Sequence, residues 1–84
     1  MENFKTNCNS SNKKEALKTK VLSDMKVFGG SMLNSALLIV YPHDPYYGIS
    51  AIEANEVCKE ILGGNYDLYE ADGLFAGVMY NFNR

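Results

Sequence analysis

Basic forked side chains, histidines and cysteines are scarce in this 84-residue chain, and each shortage removes a class of function. Only Arg84 is an arginine among eight basic residues, so the planar guanidinium that reads guanine edges and phosphates two bonds at a time is nearly missing. Sequence-specific nucleic-acid recognition is therefore not expected. His43 is the single histidine, too few for a typical zinc-ligand set, and neither a G-x-G-x-x-G nor a G-x-x-x-x-G-K-[ST] frame occurs. No metal and no cofactor is expected. The two cysteines, Cys8 and Cys58, lie fifty residues apart and do not form the dense framework that staples small secreted domains. With no apolar leader segment and no run of eighteen apolar residues, the chain reads as reduced, cytoplasmic and not membrane-bound.

What is present is one small domain. Hydrophobic residues make up 46% of the chain and charged ones 21%, enough apolar content for a thin core. The charge is divided: residues 1–26 carry six lysines against Glu2, Glu15 and Asp24, and residues 27–84 carry Lys59 and Arg84 against seven carboxylates. The net charge is −2.

Residues 1–11 are polar and Asn-rich, with little to bury, and are expected to form a disordered tail in which Cys8 is exposed. From Asn12, with Glu15 three positions on, Leu17, Val21, Met25 and Phe28 recur at helical spacing, which predicts a helix over 12–28. Gly29 and Gly30 should end it in a left-handed conformation. Ser35 to Tyr41 is a short apolar run stopped by Pro42, and it predicts a strand whose two faces are both apolar. Ser50-Ala51-Ile52-Glu53 is a capping box opening a second helix. Its apolar stripe is Ala51, Ala54, Val57, Cys58, Ile61 and Leu62, and Gly63-Gly64 closes it. Tyr66 to Ala71 and Leu74 to Phe82 form a hairpin about Asp72-Gly73, with Ala71 opposite Leu74 and Tyr69 opposite Ala76. Gly77 marks a bulge or a close backbone approach.

The fold expected is α+β: an αβαββ domain over 12–84 with a three-stranded sheet in the order 2-3-1, the last strand central. Either one helix covers each face, or one face is buried in an oligomer.

The proline-framed segment from Pro42 to Gly48 presents Tyr41, Tyr46 and Tyr47, and the hairpin adds Tyr69 beside Glu70 and Asp72. Tyrosine provides broad amphipathic contact area at modest entropic cost, so these residues, with His43 and Asp44, are the candidate binding set. His43 beside Asp44 also has the residue types of a general base and its orienter. No nucleophile is placed with them by sequence, and turn capping accounts for the pair, so no catalytic residue is assigned. Asp67, Glu70 and Asp72, with Glu56 and Glu60, form an acidic group that suits a basic partner, a loosely held divalent cation or simply a solvated face.

Over residues 35–82 the strand, capped helix and Asp-Gly hairpin resemble the layout of some small phage-encoded inhibitors, including certain anti-CRISPR and other anti-defence proteins. The resemblance is architectural and carries over no site residue. It implies a stoichiometric, non-enzymatic inhibitor that occupies the basic surface of a host protein. The alternative is an oligomer that sequesters or senses a small molecule such as a nucleotide, with tyrosines stacked on a base and lysines of the first helix on phosphates.

Overall fold

The computed structural model describes residues 4–82, with side chains from residue 12 onward. In chain order the elements are helix α1 (Phe4–Gly29), strand β1 (Ser35–Ile39), helix α2 (Ala51–Leu62), strand β2 (Tyr66–Ala71) and strand β3 (Leu74–Asn81). The sheet order is β1-β3-β2, and β3 pairs antiparallel with both neighbours. This is the expected α+β architecture.

The start of α1 corrects the sequence reading. The helix begins at Phe4, so Asn12 lies in its interior and caps nothing. Helical backbone already runs past position 8, and the Cys8 thiol lies outside the described side chains. At the other end neither Gly29 nor Gly30 has positive φ. The last turn is closed instead by Ser31, whose N–H and hydroxyl both donate to the Phe28 carbonyl at 3.0 and 2.8 Å. A glycine with positive φ does close the end of α2, at Gly63 (φ 72°, ψ −112°), whose N–H donates to the Lys59 carbonyl.

The serine half of the α2 capping box forms as expected, with the Glu53 carboxylate meeting the Ser50 hydroxyl. The Glu53 N–H donates to the Ser50 hydroxyl at 3.1 Å, and that hydroxyl donates to the Glu53 carboxylate at 3.2 Å. Asp72 (φ 54°) and Gly73 (φ 80°) make the tight hairpin turn, with Ala71 opposite Leu74 as expected. Beyond it the register shifts. Glu70 faces Phe75 while Tyr69 faces Gly77, so Ala76 is an extra residue and the expected Tyr69–Ala76 pairing does not form. A Cβ on Gly77 would meet the Leu38 carbonyl oxygen at 2.5 Å, so β1 and β3 approach more closely there than any side chain allows.

Both helices lie on one face of the sheet, which overturns the expectation of one helix on each. Leu38, Val78, Tyr80 and Phe75 from the strands share a core with Leu17 and Val21 of α1 and Ala54, Val57 and Cys58 of α2. The placement of α1 follows from its apolar stripe, since Leu17 and Val21 are fully buried in that shared core. Its Lys14 reaches Glu56 of α2 at 3.1 Å and its Lys18 reaches Glu60 at 3.8 Å, so the lysine flank meets the carboxylate flank of α2. Such exposed pairs contribute little energy and accompany that packing without dictating it. The Lys14 ammonium holds its proton more tightly because of the Glu56 hydrogen bond and charge.

Among the described residues one charged group is buried. Asp24 of α1 is 6% exposed, accepts a 2.7 Å hydrogen bond from the Tyr80 hydroxyl, and lies 3.1 Å from the Lys20 ammonium. Asp24 falls at helical spacing between Val21 and Phe28, so the apolar stripe contained a carboxylate that needed a partner. Burial, then the hydrogen bond to Asp24, drive the Tyr80 hydroxyl far above the usual phenol range.

Candidate functional site

With both helices on one side, alternate residues of the strands line an uncovered face. Its two central rows follow from the register: Leu37, Met79 and Asp67 in one, Ile39, Gly77 and Tyr69 in the next. Leu37 is 51% exposed, Ile39 48% and Tyr69 48%, unusual values for large apolar groups at adjoining positions of one surface. No lysine or arginine belongs to any of the three strands, whereas β2 carries Asp67 and Glu70 and the hairpin tip carries Asp72.

The 41–48 segment is a series of short turns. The Asp44 carboxylate accepts the Tyr41 N–H at 2.8 Å, and the Asp44 N–H returns a bond to the Tyr41 carbonyl at 2.9 Å. The Tyr47 and Ile49 amides then donate to the Asp44 and Tyr46 carbonyls. Asp44 is thus a turn-forming residue. The His43 side chain is 81% exposed, lies 3.6 Å from the other Asp44 oxygen, and stacks on the Tyr41 ring with centroids 5.7 Å apart and planes within 6°. The loop rejoins the sheet through the Phe75 N–H, which donates to the Ile49 carbonyl at 3.0 Å, and the Ala51 N–H, which donates to the Gly73 carbonyl at 2.8 Å.

The expected binding set is therefore split. Tyr41 and His43 stand together on the loop, and exposed Tyr47 meets the hairpin tip, where Asp72 and Leu74 help it line an open cavity of about 290 Å³. Tyr69 belongs to the open sheet face. Glu70 alternates to the helix side of β2 and does not share that face with Tyr69. Tyr46 is a correction: at 3% exposure it is a core residue, and burial with the nearby Asp44 charge pushes its hydroxyl up to about 12. Its ring fills the space between loop and helix layer that a thin core leaves open. Cys58 is buried as expected, and burial pushes its thiol up to about 11, so the nucleophilic thiolate is disfavoured.

The acidic group is also divided. Glu56 and Glu60 turn to the lysines of α1, whereas Asp67 is held by the Asn81 amide at 3.4 Å. Among the described residues no three metal-ligating side chains converge. Lys20 and Tyr41 do share a groove of about 260 Å³, but the lysine is already paired with Asp24 at 3.1 Å. No helix among the described residues is long and apolar enough to cross a membrane.

Leu37, Ile39 and Met79 are the site residues that the loop-centred sequence reading missed. The signal for them was the double-sided apolarity of β1, which one layer of helices cannot satisfy. Comparison with protein-family models, with curated proteins and with solved structures finds no match.

Proposed function

We propose that this chain is a non-enzymatic protein-binding module that seats the open face of its sheet on a partner bearing apolar side chains ringed by lysine or arginine. The observation that carries the reading is the half-exposed trio of Leu37, Ile39 and Tyr69 on strands without a basic residue. Burying those side chains supplies affinity, at roughly 25 cal/mol per Å² of apolar surface before the costs of association. The carboxylates at Asp67 and Asp72 supply steering and orientation toward a basic rim. The resemblance to small phage-encoded inhibitors supports the more specific proposal that occupancy blocks a host protein.

The test uses the full chain as bait and three versions of it: the native sequence, Tyr69→Lys, and Ile52→Lys on the exposed side of α2. A partner held by the native chain and by Ile52→Lys, but lost with Tyr69→Lys and weakened by added salt, is the expected result. Equal retention by all three, or no partner for any, would overturn the reading. A shift in melting temperature with nucleotides, unchanged by Tyr69→Lys, would instead favour small-molecule binding.

A further inference from the structure

Exposed apolar side chains are concentrated around β1. Val27, Met32, Leu33, Leu37, Ile39 and Tyr41 all fall between positions 27 and 41, and no charged residue occurs from Val27 to Pro42. β1 is also an edge strand, with β3 its one neighbour among the described residues. The Val40 N–H donates to the Ala76 carbonyl and the Phe82 N–H to the Asn34 carbonyl, so even-numbered residues turn their backbone groups toward β3. By the same alternation Ser35, Leu37 and Ile39 turn N–H and C=O outward.

The free edge has defined ends. Beyond Ile39 the next outward residue is Tyr41, whose N–H and C=O are both used by Asp44. Before Ser35 the next is Leu33, whose N–H is taken by the Ser31 hydroxyl at 3.3 Å. Three donors and three acceptors remain, centred on Leu37. A groove of about 260 Å³ separates this edge from Lys20, Asp24 and Phe28 of α1, so the helix does not cover it. The opposite edge differs. The corresponding outward residues of β2, Tyr66 and Leu68, alternate with Asp67 and precede Glu70, the charges by which sheet edges discourage pairing.

We propose that β1 pairs antiparallel with β1 of a second copy, joining two three-stranded sheets into one of six strands. Because the outward set is symmetric about Leu37, a two-fold register with Leu37 opposite Leu37 and Ser35 opposite Ile39 leaves none of the six groups unpaired. Sliding by two residues strands some of them. A second copy also matches the edge in charge, since neutral strand meets neutral strand and the carboxylates of β2 lie at the far ends of the joined sheet. The pairing makes the two open faces continuous, doubling the apolar surface. It holds whether or not that face binds a partner protein.

Light scattering on the purified chain is the test, with twice the 9.4 kDa of a single chain expected. Leu37→Pro removes an outward N–H without touching the bonds to β3, and should return the mass to that of one chain with the circular dichroism unchanged. Tyr69→Lys should leave the doubled mass intact, which separates this proposal from the partner-binding one. Should Leu37→Pro misfold, hydrogen exchange on the native chain decides: the Leu37 and Ile39 amides should slow by about tenfold or more as concentration rises through the dissociation range. A chain still single at about 1 mM overturns the proposal. So does a dimer whose Leu37 and Ile39 amides exchange freely, or a single chain whose β1 edge takes up a foreign extended peptide.

Discussion

The two faces of the sheet are built from the same three strands, in alternate residues, and meet opposite fates. On one, Leu38, Val78 and Tyr80 are enclosed by two helices; on the other, Leu37, Ile39 and Tyr69 meet solvent. Residue type does not distinguish them, since each offers leucine, a β-branched residue and tyrosine. What differs is the provision of partners. Tyr80 has Asp24 for its hydroxyl and two helices for its ring. Helix α1 joins α2 because its own stripe, Leu17 and Val21, is buried in the core of the first face, and among the described residues no helix is left for the second.

Adjacent leucines give the sharpest test. Leu38→Ala should cost about 2–5 kcal/mol in urea unfolding, the usual cost of emptying a closed core site. Leu37→Ala should cost less than about 1 kcal/mol in the single chain, because half of its side chain is already wet. Equal losses would mean that the open face is covered in solution. At the junction of the faces, Gly77→Ala drives a methyl group into the Leu38 carbonyl and should cost about 1–3 kcal/mol by the same measurement.

The tyrosines give a second pair. Tyr80→Phe strips the buried Asp24 carboxylate of a donor and should cost about 1–3 kcal/mol, whereas Tyr69→Phe should stay within about 0.5 kcal/mol. Weakest under ordinary conditions is the response to alkali. Cys58 and Tyr80 bind their protons more tightly folded than unfolded, so the stability they contribute is complete below the unfolded thiol value near 9.0. It is lost as the pH rises through about 11, where the folded thiol ionises. Unfolding midpoints should be flat from pH 7 to about 9 and fall above it.

Local signals were the legible part of this fold. The Ser50–Glu53 cap, the Asp72–Gly73 turn and the apolar run from Ser35 each act over a few residues and state their conformation in their own chemistry. Strand order followed from the central strand's apolar content. The start of α1 was not legible, because the polar residues before Asn12 offer no packing stripe and yet continue the helix. Nor was the layering, since a stripe such as Leu17 and Val21 says that α1 packs and not which face of the sheet it packs on. The aromatic loop was read as one surface. Tyr46 and Tyr47 are neighbours, but the turn at Asp44 sends the first into the core and the second out.

The anchoring of that loop has a practical consequence. Val40 and Ile49 are fastened to Ala76 and Phe75, consecutive positions on a single strand, so the eight residues between leave the sheet and return almost to their point of departure. A span closed in this way can be lengthened at small entropic cost, about 0.6 kcal/mol for each doubling, without moving either strand. The tip at Pro42 to Pro45 is therefore a natural insertion point for foreign epitopes or reporter peptides, and a segment whose length can drift among descendants while the scaffold beneath stays as it is.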